Sequence, residues 1–299
     1  MADPAGPEIT SIRSPRVKAA RQLAKRAFRQ RSRSFLAEGP QAVGEALSCG
    51  AAITELFVTG PALARHGDLA DRAVRHGAAV VAVSGEVMAE LAQTVTPQGL
   101  LAVCSFIDVP LARLASAGPR LVVILANVRD PGNAGTVLRT ADAAGADGVI
   151  FSGASVDPYN SKCVRASAGS LFHLPVVVGA PLADSVAALR SAGLRVLAAD
   201  GSAARALDDP GLAEQLSQPT AWLFGNEAWG LPADLLALAD EAVAVPIYGR
   251  AESLNLAAAA AVCLYSSARG LRPARATGQA ARAQAARAKD PAETSPRAG

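Results

Sequence analysis

Residues 121–126, Leu-Val-Val-Ile-Leu-Ala, contain no polar side chain, and this run constrains the fold more than any other feature of the chain. A strand of this composition has to be buried on both faces, which is typical of a parallel sheet covered by helices. Further apolar stretches follow it, separated by segments of helical composition: "GVIFSG", "LPVVVGA", "LRVLAAD", "TAWLFGN" and "AVAVPIY". The alternation predicts an α/β domain over residues 120–271.

A shorter alternation of apolar strands and helices covers residues 34–106, and it predicts a second, smaller α/β domain. Residues 107–119 between the two contain Pro, Gly and small side chains, so we expect a linker there. A chain of 299 residues is long enough for two domains, each with its own core.

Charge is distributed unevenly along the chain. Residues 1–33 carry a net charge of +7 and residues 272–299 one of +4, so the remaining 238 residues sum to −8. Basic ends on an acidic body indicate a polyanionic partner such as nucleic acid, although a solvated helix and tail explain the charge equally well. The composition of residues 272–299 predicts a disordered basic tail.

The segment 16–33 has the composition of a helix with a basic side. Its apolar side would consist of Val17, Ala20, Leu23, Ala24 and Ala27. The candidate phosphate contacts on the other side are Arg16, Lys18, Arg21 and Lys25.

Several protein classes are excluded by missing motifs. The four cysteines and three histidines are scattered, so we expect no metal site. Neither a dinucleotide-binding GxGxxG nor a phosphate-binding GxxxxGK[ST] is present. No apolar segment resembles a signal peptide or is long enough for a membrane span, so we expect a cytoplasmic protein with reduced thiols and no membrane partner.

Three polar segments, each of which contains at least one glycine, come directly after predicted strands. They are "NVRDPGNAGTVLRTA" (127–141), "FGNEAWGLP" (224–232) and "VPIYGRAESLNLAAAAAVCLY" (245–265). A single loop of this kind is usually only a turn. Ligands bind at the carboxyl ends of strands in open parallel sheets, so three such loops together indicate a binding site.

Together the three segments resemble the motifs of the SpoU/TrmH family of RNA ribose 2'-O-methyltransferases, in the SPOUT class. The matching cores are "NAGTVLR", "GNEAWG" and "SLN", in the family order. Residues 158–176 resemble the stretch between the first two motifs, and 34–47 with 95–106 resemble a ribosomal-protein-like RNA-binding domain. The resemblance implies a SPOUT domain with a parallel sheet and a deep trefoil knot.

The resemblance also implies S-adenosylmethionine as cofactor and RNA, with ribosomal RNA favoured, as substrate. Transfer RNA and a non-catalytic RNA-binding protein are the alternatives. Carried over by motif, the cofactor contacts would come from Leu223, Phe224, Gly225, Asn226, Gly230, Ile247, Leu254, Asn255 and Leu256. The catalytic candidates are Asn133, Arg139, Glu227, Ser253 and Asn255.

Arg139 lies among Val137, Leu138 and Ala141 in sequence, so we expect a buried arginine that an ion pair with Glu227 could hold. The resemblance implies that Arg139 acts on the reacting 2'-hydroxyl, either by taking its proton or by stabilising the alkoxide that develops. A guanidinium rarely gives up its proton, so we favour stabilisation of the developing alkoxide over base catalysis.

Other side chains near the motifs have two interpretations each. Ser253 would act in catalysis or cap the last helix, and Arg129 and Arg165 would bind phosphate or form surface ion pairs. Trp229 would stack on a base or pack. The resemblance implies a homodimer through the C-terminal domain, although the alanines of the closing helix suit burial within one subunit equally well.

Overall fold

The computed structural model describes residues 6–92 and 94–271, and it contains two sheets. The strands are β1 (Ser34–Glu38), β2 (Ile53–Val58), β3 (Ala79–Ala82), β4 (Leu100–Ser105), β5 (Leu121–Ala126), β6 (Gly148–Ser152), β7 (Val176–Val178), β8 (Arg195–Ala199), β9 (Thr220–Phe224) and β10 (Glu241–Val243). The helices are α1 (Pro15–Gln22), α2 (Arg26–Ser32), α3 (Pro40–Ser48), α4 (Gly60–Arg65), α5 (Gly67–Arg75), α6 (Gly85–Leu91), α7 (Leu111–Ser116), α8 (Pro131–Ala144), α9 (Ser161–Ala166), α10 (Leu182–Ser191), α11 (Leu212–Gln215), α12 (Ala233–Leu236) and α13 (Leu256–Leu271), with a short 3-10 turn at Ser170–Phe172.

The N-terminal unit has a four-stranded sheet in the order β1-β4-β2-β3. β4 is antiparallel to β1 and β2, and β2 is parallel to β3. Buried residues of α3 and α5 cover one face of the sheet, and those of α1 and α6 cover the other. The smaller α/β domain predicted from the sequence is thus present, with helices on both faces.

The C-terminal unit has a six-stranded sheet in the order β10-β8-β9-β5-β6-β7. Every strand pair in it is parallel, as the apolar runs predict. Alternate side chains of β5 pack with α8 and α13 on one face and with α7 and α10 on the other. The chain leaves β5 toward β6 but returns at β8 and β9 on the other side, so a crevice forms where β5 and β9 end.

The segment expected to be a linker, 107–119, belongs to the C-terminal unit. It contains α7, whose Leu114 is buried in the same apolar cluster as Val186 of α10. The backbone N–H of Val109 donates to the carbonyl of Val176 at the sheet edge, at 2.8 Å. A few apolar side chains are enough to dock this segment, although its small residues resemble those of a linker.

A cluster of aromatic rings joins the two units into one core. The ring of Phe35 in β1 lies 4.7 Å from the ring of Tyr159 and 6.0 Å from that of Phe172. Phe106 stacks on Tyr159 with 3.9 Å between ring centroids. The Tyr159 hydroxyl donates to Asp108 and accepts from the backbone N–H of Ile107, so the polar end of this buried ring is satisfied.

The basic segment near the N-terminus differs from the single helix expected over 16–33. α1 ends at Gln22 and α2 begins at Arg26, and Ala24 and Ala27 are exposed. The break frees the carbonyls of Leu23 and Ala24, which accept hydrogen bonds from Nη1 of Arg29 at 2.8 Å each. Arg29 is 3% exposed, and its Nε and Nη2 donate to Asp157 of the C-terminal unit at 2.9 and 2.7 Å.

Two expectations are untouched by these observations. The trefoil knot stays a prediction from the family resemblance, and the basic tail 272–299 lies outside the described residues. Across residues 6–92 and 94–271, none of the helices combines the length and hydropathy that crossing a bilayer requires. The same residues hold no group of three or more His, Cys, Asp or Glu side chains arranged to bind a metal ion.

Candidate active site

The first polar segment forms the start of α8. The carboxylate of Asp130 accepts from the backbone N–H of Asn133 at 2.7 Å and so caps the helix. Lys162 of α9 donates to the same carboxylate at 2.8 Å. The Lys162 hydrogen bond and the backbone N–H of Asn133 lower the pKa of Asp130, which keeps the cap charged. The start of α8 is thereby fixed to α9.

The second polar segment is a tight turn after β9. Asn226 and Gly230 exchange two backbone hydrogen bonds of 2.9 Å. A Cβ at Gly225 would lie 2.5 Å from the carbonyl of Gly230, so the turn requires glycine there. The buried side chain of Asn226 donates to the carbonyl of Asn127 at 2.9 Å and accepts from the N–H of Ala228 at 2.8 Å. This amide ties the end of β9 to the end of β5.

The third polar segment leads into α13. The side-chain oxygen of Asn255 accepts from the backbone N–H of Ala257 at 2.9 Å, directly before the helix begins at Leu256. The cap is therefore Asn255. The alternative of Ser253 as cap is wrong because Ser253 lies outside the first turn and is exposed. Its hydroxyl stays available to a ligand.

Asn133 joins all three segments. Its Nδ2 donates to Oε1 of Glu227 at 3.3 Å, and its Oδ1 accepts from Nδ2 of Asn255 at 3.1 Å. Glu227 also accepts from the backbone N–H groups of Arg129 and Asp130, at 3.3 Å each. Three of the five catalytic candidates, Asn133, Glu227 and Asn255, therefore meet where β5, β9 and α13 come together.

A cavity of about 290 Å³ opens beside these side chains. Of the residues expected to bind the cofactor, those that line it are Phe224, Gly225, Asn226, Gly230, Ile247, Leu254 and Leu256. Glu227 and Ser253 of the catalytic candidates line it as well. Leu223 and Asn255 do not: Leu223 is fully buried within β9, and Asn255 points its amide toward Asn133.

Residues 199–201 also line the cavity, and sequence reasoning did not select them. They form the end of β8 and the two residues after it, and β8 lies next to β9 in the sheet. The signal was present, because "LRVLAAD" reads as a parallel strand that ends on an acidic residue, Asp200. The carboxyl ends of neighbouring parallel strands share an edge, but the order of the strands is needed to know that β8 and β9 are neighbours.

Arg139 is exposed, which makes the expectation of a buried charge wrong. The buried residues of α8 are Ala134, Gly135, Val137, Leu138, Ala141 and Ala144, and most of them lie on the opposite side of the helix. Gly135, one turn before Arg139, is covered by α9. Within the described part of the chain Arg139 forms no hydrogen bond or ion pair. The ion pair expected with Glu227 is absent there, since Glu227 is bound to Asn133 and two backbone N–H groups.

The candidate phosphate contacts are in different environments. Arg16 lies 3.4 Å from Glu55, and Arg21 pairs with Glu90, while Lys18 and Lys25 are exposed and form no ion pair within residues 6–92 and 94–271. Arg165 lies 3.6 Å from Glu38, so of its two interpretations, phosphate binding and an ion pair, the structure contains the ion pair.

The groove that holds Arg165 separates the two units and has a volume of about 220 Å³. The Nη1 atom of Arg165 is buried there, and no described residue accepts a hydrogen bond from it. Arg129, the remaining candidate, is exposed at the rim of the site.

Comparison with known proteins agrees with this geometry. Residues 120–265 match the model of the SpoU rRNA Methylase family. Residues 14–102 match the MRM3-like substrate binding domain. The two matches correspond to the two α/β units.

Relatives and solved structures span nearly the whole described chain. It is 34% identical over 260 residues to the 23S rRNA (guanosine(2553)-2'-O)-methyltransferase RlmP of Bacillus subtilis, covering 86% of this chain and 98% of that one. An AdoMet-bound rRNA methyltransferase from Sinorhizobium meliloti superimposes with a TM-score of 0.78 at 34% identity, over 89% and 99% of the two chains. AviRb from Streptomyces viridochromogenes, a SpoU methyltransferase solved with AdoMet, gives a TM-score of 0.74 at 31% identity, over 86% and 98%. The chain belongs to the SpoU methylase family.

Proposed function

We propose that this protein transfers a methyl group from S-adenosylmethionine to a ribose 2'-hydroxyl of ribosomal RNA. The observation that carries the proposal is the meeting of Asn133, Glu227 and Asn255 beside one cavity, since only the folded chain brings the three polar segments together. The family and the AdoMet-bound neighbours support the cofactor. The named 23S rRNA relative and the substrate-binding domain favour ribosomal over transfer RNA.

The cavity residues suit S-adenosylmethionine. Ile247, Leu254 and Leu256 provide apolar side chains that can flank an adenine. Gly225 lets the turn that forms part of the cavity wall close against Gly230. Asp200 and Glu252 add carboxylates that can accept hydrogen bonds from hydroxyl or ammonium groups. The bound cofactor supplies an electrophilic methyl group.

The remaining chemistry falls to side chains of this protein. Transfer needs the ribose oxygen aligned with the methyl group, which is mainly a matter of position. We assign Asn133, Glu227 and Asn255 to holding the three loops in place, and the free hydroxyl of Ser253 to a ligand contact. Arg139 donates hydrogen bonds to the developing alkoxide, because a guanidinium stabilises negative charge without losing its proton.

A homodimer through α8 and α13 is part of the proposal. The outer side of α13 exposes Val262 and Tyr265, at 41% and 49%, next to a groove of about 730 Å³. α13 also contacts α8, the helix that carries the exposed Arg139. Covering this surface with a second copy would bury apolar side chains and bring the free guanidinium close to an interface.

Methyl transfer tests the proposal directly. Labelled S-adenosylmethionine is incubated with ribosomal RNA and separately with transfer RNA, using the wild type, Arg139→Ala and Arg113→Ala. Arg113 is a matched control because it is an exposed arginine on α7, across the sheet from α8. We expect alkali-resistant label in ribosomal RNA from the wild type and from Arg113→Ala only. Label in transfer RNA alone would show that the substrate is transfer RNA and not ribosomal RNA. Cofactor binding without methyl transfer, either to naked RNA or to ribosomal particles, would contradict the proposed activity.

A further inference from the structure

The two tryptophans of the chain have opposite environments. Trp222 in β9 is fully buried, and its Nε1–H donates to Ser267 at 2.8 Å. Trp229 is 56% exposed at the tip of the turn that contains Gly225 and Gly230. The indole is the largest apolar side chain available, and here it contributes little to the core.

The turn holds Trp229 in a fixed place beside the proposed cofactor cavity. The paired backbone hydrogen bonds between Asn226 and Gly230 close the turn around it. Its neighbours in sequence, Ala228 and Gly230, both line the cavity. The ring is therefore presented to solvent by a constrained backbone, next to the place where a methyl donor would be held.

A cation accompanies the ring. The guanidinium of Arg129 lies 5.6 Å from the centroid of the Trp229 ring, within cation–π range. Arg129 is itself exposed, and its backbone N–H is fixed by Glu227. Ring and cation thus come from two different loops that Glu227 and its hydrogen bonds hold together.

An exposed aromatic face beside an exposed cation is the arrangement with which proteins bind unpaired nucleotides. Bases stack on the ring, and the positive charge attracts the phosphate backbone. A ribose 2'-hydroxyl that has to reach a cavity must belong to a nucleotide at least partly released from base stacking, so its base needs a new apolar partner.

We propose that Trp229 is a stacking platform for an unpaired base of the RNA substrate at the entrance to the cavity, with Arg129 contacting an adjacent phosphate. This inference rests on the proposed function, and it adds the residues that hold the nucleotide. Stacking tolerates every base because each has a π face, so the platform contributes affinity and position and leaves sequence selection to other contacts.

Steady-state kinetics and RNA binding as a function of salt test the platform. Trp229→Ala should weaken RNA binding and raise the KM for RNA by about 5- to 150-fold, with S-adenosylmethionine affinity unchanged. Trp229→Phe should retain most of the affinity, and Val74→Ala, which trims an exposed apolar side chain on α5, should behave as wild type. Trp229→Ala should leave the slope of log K against log salt unchanged, whereas Arg129→Ala should reduce it by about one.

Fluorescence gives a second readout that is independent of methyl transfer. The emission of wild type minus that of Trp229→Phe isolates Trp229, because Trp222 is the only other tryptophan. RNA should quench this difference signal while the emission of Trp229→Phe stays constant. Bound RNA without quenching, or equal RNA affinity of Trp229→Ala and wild type, would overturn the platform.

Two further outcomes separate this inference from the proposed function. A change in the Trp229 signal with protein concentration, without RNA, would show that a second copy covers the ring and would overturn the platform alone. Methyl transfer at the wild-type rate and KM by Trp229→Ala would do the same and leave the activity standing. Absence of both RNA binding and transfer in the wild type would overturn both.

Discussion

The carboxamides of Asn133 and Asn255 are hydrogen-bonded to each other at 3.1 Å, although the two residues are 122 positions apart in the chain. Asn133 lies in the first turn of α8 and Asn255 caps α13, so this bond joins the beginnings of two helices. The same Asn133 amide reaches Glu227. Asn133 therefore connects the third polar loop to the other two, which Asn226 and Glu227 also tie to each other.

Removing either asparagine should weaken the connection between the loops, because each substitution breaks the bond between Asn133 and Asn255. We expect Asn133→Ala and Asn255→Ala each to lower kcat/KM for methyl transfer, and the double variant to lose less than the sum of the two effects, with a coupling of about 0.5–3 kcal/mol. A double-mutant cycle on kcat/KM measures it. Asn160→Ala is the control, since Asn160 caps α9 and should cost about 1 kcal/mol of stability without affecting transfer. Strictly additive effects would contradict the shared network.

Arg139 should matter for transfer and not for folding. It is exposed and forms no hydrogen bond or ion pair with the described residues, so Arg139→Ala should change the free energy of unfolding by no more than about 0.5 kcal/mol. Loss of a donor to the developing alkoxide should lower kcat about 100- to 1000-fold, with cofactor affinity unchanged. Denaturant unfolding measures the stability, calorimetry measures the cofactor affinity, and single-turnover rates measure the loss of methyl transfer. Full activity of Arg139→Lys with an unchanged pH–rate profile would contradict any direct role of the guanidinium.

The buried pair of Arg29 and Asp157 should be essential for stability. Arg29→Met leaves the Asp157 carboxylate buried without its cation, which should cost about 3–5 kcal/mol. Arg29→Met combined with Asp157→Asn should regain part of that loss because no buried charge remains. Arg21→Met removes an ion pair on the exposed side of α1, and a change within about 1 kcal/mol is expected. Urea unfolding of the three variants measures the free energy of unfolding. Similar losses for Arg29→Met and Arg21→Met would show that burial of the ion pair does not increase its contribution to stability.

His173 should make stability depend on pH. Its ring nitrogens lie 2.7 Å from Asp142 of α8 and 3.1 Å from Glu45 of α3, and the bond to Asp142, followed by that to Glu45, raises the pKa of His173 above its ordinary value. A group whose pKa is raised by folding stabilises the protein fully below its unfolded value, near pH 6.5, and this contribution is lost as the pH rises through the folded value.

Thermal unfolding of wild type and His173→Gln between about pH 5.5 and about pH 9 measures this contribution. The stability difference should be largest at the acidic end and disappear at the alkaline end. The two carboxylates also act on other groups: Asp142 accepts from the Ser170 hydroxyl, and the pKa of the Cys49 thiol is raised by burial and by Glu45 and Asp142. His76→Gln should leave the pH dependence of the wild type in place. A difference that is constant with pH would contradict the ion pairs.

Gly135 should tolerate no side chain. A Cβ there would lie 2.4 Å from the carbonyl oxygen of Cys163 and 2.7 Å from Cβ of Ala166, so α8 and α9 would have to separate. Gly135→Ala should cost about 1–3 kcal/mol. Gly44 of α3 is the matched helical glycine, with its nearest atom at 3.7 Å, and Gly44→Ala should be neutral or stabilise by up to about 1 kcal/mol. Equal effects in chemical denaturation would show that the close helix contact is unimportant.

The two arginines show how far sequence reasoning reached. Arg139 was expected to be buried because its neighbours in sequence are apolar, but neighbours in sequence lie on different sides of a helix. Arg29 is not among the residues selected from the basic segment 16–33, yet it is the buried one. Its environment depends on a break between α1 and α2 and on Asp157, more than 120 residues away, and neither is visible in local composition.

The loops of the site were easier to predict than the cavity wall. Residue types at fixed spacing carry the chemistry, so the three polar segments could be found and matched in order, and the parallel sheet predicted that their loops would converge. Residues 199–201 and the docking of α7 depend on which elements are neighbours in space. That information comes from strand order and side-chain packing, and a single sequence does not contain it in readable form.

The ring cluster of Phe35, Phe106, Tyr159 and Phe172 spans the boundary between the two α/β units. A substrate-binding domain that is joined by a flexible linker can be exchanged between enzymes without changes to the catalytic domain. Here, separating the units would expose these four rings and the Arg29–Asp157 pair together, so both units should melt in a single calorimetric transition. Any lineage that acquires a new recognition unit must also acquire a complementary aromatic surface for it.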